Sequence, residues 1–192
     1  MTRLALGLAL AVALFGATAT AQAQTPAAAD TPGKTAEGVA FVQPKDWTQA
    51  SQGAATVFVS PEGDLSIAVV AVGPAPTAQA AADKAWALYK ADARRAVRLT
   101  SPVPPGDGWD ERVSIAYETS PAEKAEVAAL ALRQGTAWTV MILNGADATL
   151  NKRAAAAGII QSSLRPAGYA AETFAGKTAH HLTPERIQAL RD

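Results

Sequence analysis

The chain has 192 residues, 17 basic and 17 acidic side chains, and a hydrophobic share of 49%, about half of it supplied by 47 alanines; that length fits one domain with residues to spare. A balanced charge leaves no positive field to steer the chain onto nucleic acid or an anionic membrane. With no cysteine, disulfides, thiolate metal sites, iron–sulfur clusters, cysteine nucleophiles and a lipid anchor on cysteine are excluded.

Arg3, the apolar run Leu4 to Phe15 and the small-residue sites Ala17-Thr18-Ala19 and Ala21-Gln22-Ala23 have the layout of a secretory signal peptide. About a dozen apolar residues fall short of the roughly 20 that a spanning helix needs. Residues 1–23 are therefore expected to be removed on export, leaving no stable membrane anchor. The periplasm is the expected destination, with extracellular release as the alternative. Residues 24–38 are small, polar and proline-punctuated, which predicts a disordered leader.

Ordered structure is expected over residues 39–164. Val39 to Val42 reads as a short strand that Pro44 ends, with Trp47 as a large apolar anchor. Ala55 to Val59 and Leu65 to Val72 read as strands joined by a hairpin turn at Ser60-Pro61-Glu62-Gly63-Asp64. Thr77 is placed to cap a helix running to about Arg95, its apolar side carrying Ala78, Ala81, Ala82, Ala85, Trp86, Leu88 and Tyr89. Val97 to Thr100 reads as a short strand, and the prolines and glycines from Pro102 to Gly108 as the strongest break in the chain. Three strand-like runs follow: Trp109 to Glu118, Ala125 to Arg133 and Thr136 to Leu143. The alanines and leucines of the second also suit a helix; the tight turn signals on both sides favour strand. Asp147 is expected to cap a helix carrying Leu150, Ile159, Ile160 and Leu164. Hairpin strands grouped with helices predict an α+β fold, an antiparallel β-sheet of five to six strands sandwiched by two main helices. Residues 165–192 read as an extended tail: a linker, then a helix start at Thr183-Pro184-Glu185 leading to a domain that is missing.

Signatures of chemistry are sparse. The chain has no Ser-x-x-Lys and no G-x-S-x-G elbow. Thr31-Pro32-Gly33-Lys34 has Thr-x-x-Lys spacing but sits in the leader. His180 and His181 are adjacent, so their side chains diverge, and no second spacing supports a metal. Gly176-Lys177-Thr178 resembles the end of a phosphate-binding loop, yet Ala171 stands where the motif requires glycine. Asp107, Asp110, Glu111 and Glu118 read as a solvated surface, and Trp47, Trp86, Trp109 and Trp138 as core packing. No catalytic, cofactor-binding or metal residue is assigned, no cofactor is expected, and no enzymatic activity is expected of this chain alone.

Phe41-Val42-Gln43-Pro44-Lys45-Asp46-Trp47 and Ser60-Pro61-Glu62-Gly63-Asp64-Leu65-Ser66-Ile67 resemble the opening of domains with the Mog1/PsbP-like fold. Ile160 to Tyr169, Glu172 to Lys177 and Leu182 to Ile187 are similar to a junction in exported β-lactamase/penicillin-binding-protein-like serine hydrolases. The resemblance implies a non-catalytic accessory module, structural or regulatory, whose partner is a following or associated serine hydrolase domain. The nucleophilic serine and its lysine would lie beyond residue 192, and none of that family's catalytic residues maps here. A free-standing periplasmic binding or scaffold protein of the same fold is the alternative.

Overall fold

The structure, a computed structural model, describes residues 25–93, 95–171 and 188. The expected signal peptide, His180, His181, Gly176-Lys177-Thr178 and the helix start at Thr183 lie outside the described residues. Within them the order is β1 (Thr31–Lys34), β2 (Ala40–Gln43), β3 (Thr48–Gln52), β4 (Ala55–Val59), β5 (Leu65–Pro74) and α1 (Ala78–Tyr89). Then come β6 (Val97–Val103), β7 (Glu111–Tyr117), β8 (Ala125–Gln134), β9 (Ala137–Ala146) and α2 (Asp147–Ser163).

Seven strands form one sheet in the order β3-β4-β5-β9-β8-β7-β6, antiparallel at every pairing. The α+β class is as expected, with seven strands in place of five to six. β3, the polar stretch Thr48-Gln49-Ala50-Ser51-Gln52, which carries no strand signature of its own, is added to the sheet, while the strand expected at Val39 to Val42 lies outside it as β2, in a two-stranded sheet with β1. Gly53 takes positive φ (57°) and folds β3 back onto β4 with Gln52 opposite Ala55. As an edge strand, β3 can be polar. β6 runs through Pro102, which the sequence reading took for a break. At the opposite edge of the sheet a missing donor is tolerated.

Residues 31–34 were expected to be disordered and instead form β1, pairing with β2 so that Gly33 lies opposite Phe41. Glycine is required there, because a Cβ would lie 2.6 Å from the Phe41 ring. The leader is also tied down by its backbone. Ala27 N donates to Trp47 O at 3.0 Å, Asp46 N to Ala27 O at 2.8 Å, and Lys45 N to the Asp30 carboxylate at 2.8 Å. Phe41 then meets Phe58 edge-on, ring centroids 4.9 Å apart.

Strand alternation divides the core into two layers. Val57, Ala68, Val70, Val127, Ala129, Ala131, Val140 and Ile142 face α1, which contributes Ala81, Ala82, Ala85, Trp86 and Tyr89. Phe58, Leu65, Ile67, Leu130, Leu132 and Met141 face α2 and the β1–β2 pair, which contribute Ile160, Leu164 and Phe41. Thr77 caps α1 as expected, its hydroxyl accepting from Ala80 N at 3.1 Å. The helix stops at Tyr89, short of Arg95, because Lys90 leaves helical geometry (φ −149°).

At α2 the cap position belongs to Ala146, which makes no side-chain bond. Asp147, expected as the cap, lies instead in the first turn, where its charge complements the helix dipole. Arg153 is non-helical (φ −107°, ψ 15°) and kinks the helix. Its guanidinium forks onto Glu62 at 2.7 and 3.0 Å, and Lys152 reaches the same carboxylate at 2.9 Å. These two cations hold Glu62 down at a pKa of about 2.

Candidate docking site

The site grows from a tight turn between β6 and β7. Asp107 (φ 59°) and Gly108 (φ 85°) both take left-handed geometry, while Gly106 and Trp109 exchange backbone bonds of 3.3 and 3.0 Å. That is the two-residue Asp-Gly hairpin, whose twist matches the flanking strands. The signal was present in the sequence, within the run read only as a break.

The segment leaving α2 was expected to turn away as a linker. It is instead laid onto this hairpin. Arg165 and Ala40 exchange backbone bonds at 2.9 and 3.1 Å. The Arg165 guanidinium meets Asp107 at 3.0 Å, and Arg112 meets the same carboxylate at 3.5 Å. Trp109 Nε1 donates to Leu164 O at 3.2 Å. Tyr169 and Pro166 fill the space a Cβ on Gly108 would need, and Arg165 lies 5.7 Å over the Tyr169 ring. The Arg165–Asp107 ion pair and the packing of Pro166 and Tyr169 on Gly108 clamp residues 165–169 against the β6–β7 turn, while β2 holds the Arg165 backbone and Trp109 holds Leu164.

A hollow opens on each flank of the clamp. On the first, among the described residues, α2 packs mainly over β2, β5, β8 and β9, and β6 is a largely exposed edge strand. The register puts Leu99, Ser101 and Val103 of β6 on the α2 side beside Ala116 and Ser114 of β7. They run into a hollow of about 190 Å³ lined by Val103, Ala128, Leu130, Met141 and Leu143, with Ser114 and Gln161 as its polar members. Leu99 is 55% exposed.

On the second flank, a hollow of about 170 Å³ lies between Trp109, Trp138, Val39 and Pro166, with Glu37 and Gln134 also lining it. Both indole N–H groups are spent on carbonyls, Trp109 on Leu164 and Trp138 on Ala75 at 3.0 Å. A third, more polar hollow of about 290 Å³ lies beside the end of α1. Its hydroxyls are in series: Tyr89 donates to Ser66 at 3.2 Å, and Ser66 to Asn144 O at 3.2 Å.

The acidic residues singled out in the sequence do not converge. Asp107 belongs to the clamp, while Asp110 and Glu111 both face Arg133, at 3.8 and 2.9 Å. Glu118 stands beyond β7, its backbone carbonyl accepting from Arg95 at 3.3 Å. All four tryptophans are core residues, none more than 5% exposed; Trp109 and Trp138 also wall a hollow, which sequence reading missed. Among the described residues no three acidic or histidine side chains gather as cation ligands, and no helix is long and apolar enough to cross a membrane.

No protein-family profile and no curated protein matches the chain. Solved structures do match. The solution structure of cyanobacterial PsbP (CyanoP) from Synechocystis sp. PCC 6803 superposes with a TM-score of 0.52. It is 14% identical, and the match covers 79% of this chain and 98% of that one. Identity that low speaks for the fold alone. The sheet, its two helices and this superposition together define a PsbP-like α+β fold.

Proposed function

We propose that the chain is a non-catalytic docking module, exported to the periplasm, whose partner is a β-lactamase-like serine hydrolase domain that follows it or associates with it. The observation that carries this reading is the β6 part of the α2-side face, where an exposed leucine on an edge strand leads into an apolar hollow. An exposed leucine and an apolar-lined hollow on one strand face, with serines between them, offer a partner both apolar and polar contacts. Among the described residues the outer edge of β6 pairs with no further strand, an edge suited to strand addition.

The clamp supports the choice of partner. Residues 165–169 are fixed at the β6–β7 turn, so whatever is joined after them is held near β6, and tethering raises its effective concentration. The junction-like residues Ile160 to Tyr169, Glu172 to Lys177 and Leu182 to Ile187 supply its class. The ion pairing of Asp107, Asp110 and Glu111 with arginines supports the non-catalytic part, since it commits these carboxylates to structural contacts.

A photo-crosslinking amino acid placed at position 99, and at position 49 on the opposite edge, tests the reading in cells that make the protein. Position 99 is expected to give an adduct to a hydrolase domain bearing Ser-x-x-Lys, identified by mass spectrometry, and position 49 none. Adducts from both edges alike, or none from position 99, would overturn it.

A further inference from the structure

We infer that the hollow between Trp109 and Trp138 is a binding site for a compact aryl- or alkylammonium ion, independent of the docking surface. Its size sets the ligand: about 170 Å³, where an engineered apolar cavity of about 150 Å³ accepts a benzene ring. Its walls set the chemistry. Val39, Pro166 and two indoles surround the space, and both indole N–H groups are already bonded to carbonyls. The two indoles, 5% and 3% exposed, therefore offer a strip of apolar wall and no donors, which suits an apolar group.

Glu37 sets the sign of the charge. It is exposed, lines the same hollow, and makes no ion pair among the described residues. The nearby cation, Arg133, lies 5.9 Å over the Trp138 ring and is answered by Asp110 and Glu111. An anionic ligand would meet Glu37 unscreened, a neutral one would leave it unused, and an ammonium satisfies it. Since Pro166 and Ala167 form one wall, a bound ligand also braces the clamped segment.

The test is a titration of the full chain with benzylammonium, benzyl alcohol and benzoate, followed by the indole N–H resonances in nitrogen-15 NMR. Trp47 and Trp86 are internal controls, since neither lines this hollow. Benzylammonium is expected to shift Trp109 and Trp138 saturably, at least about fivefold more tightly than benzyl alcohol, with benzoate weakest. Glu37→Gln is expected to erase the preference for benzylammonium over benzyl alcohol while leaving the alcohol's affinity unchanged. Ala137→Leu, at an exposed lining position, fills the space and is expected to abolish both, with the Trp47 and Trp86 resonances reporting that the fold is kept. Equal affinity for alcohol and ammonium, a preference that survives Glu37→Gln, shifts spread over all four indoles, or no shift would overturn the assignment.

Discussion

The two faces of the sheet are made from different residues. On the α1 side, eight of the twenty buried core residues are alanine and none is leucine or phenylalanine. On the α2 side, one of fourteen is alanine, and leucine, phenylalanine and tryptophan supply most of the volume. Short side chains on helix and sheet leave little space between them, and Trp86, Tyr89, Tyr117 and Trp138 fill what remains. Trp86 and Tyr117 meet edge-on at 5.7 Å. The α2 side puts its bulk under one helix and the β1–β2 pair. An abundance of alanine is thus no sign of a weak core here. It supplies much of one layer of the core, and large side chains supply the other.

The largest expected effect comes from the α2 side. Phe58 is fully buried against Phe41, and Phe58→Ala is expected to cost about 3–5 kcal/mol in urea unfolding by transfer and cavity terms together. A loss below about 1 kcal/mol would mean that this face repacks freely. On the α1 side the sensitive change is enlargement. Ala82→Leu, at a fully buried position, is expected to lose about 1–3 kcal/mol by overpacking; a neutral or stabilising outcome would show slack where close packing is claimed.

The clamp comes next. Gly108→Ala forces a side chain into left-handed backbone and against Tyr169 and Pro166. A destabilisation of about 1–3 kcal/mol is expected, with faster amide exchange confined to residues 165–169 and the β6–β7 turn.

The smallest effect is electrostatic. Glu62 has its folded pKa lowered from 4.5 to about 2 by Arg153 and Lys152. A lowered folded pKa means that its contribution is present above the unfolded value and is lost as pH falls through about 2. Between pH 4.5 and about 2, Glu62→Gln is therefore expected to flatten the fall of stability with acid, slightly, because the pair is exposed. Glu123, lowered to about 2 by Arg95, leaves part of that slope in place.

The hairpin Ala55 to Leu65, the Thr77 cap and the α+β class were legible because each rests on local chemistry: turn residues, a capping hydroxyl, runs of β-branched side chains. β1 and β3 were not. Thr31-Pro32-Gly33-Lys34 becomes a strand by pairing with β2, where Gly33 leaves room for the Phe41 ring, and Thr48 to Gln52 by pairing with β4 across the turn at Gly53. The clamp escaped notice for the same reason, since Arg165, Asp107 and Ala40 meet only after folding. Of the site, the Asp107-Gly108 turn was readable in principle. The two hollows were not, because their walls come from segments far apart in the chain.

One exposed leucine stands on each side of the molecule: Leu88 on α1, 45% exposed, and Leu99 on β6, 55% exposed. Titrating the proposed partner, a β-lactamase-like serine hydrolase domain, against the wild-type chain, Leu88→Lys and Leu99→Lys, each with its unfolding curve checked, compares the α1 side with the α2 side directly. Leu99→Lys is expected to weaken binding at least about tenfold, with Leu88→Lys unchanged. Equal affinity in all three chains, or a loss confined to Leu88→Lys, would contradict the docking account.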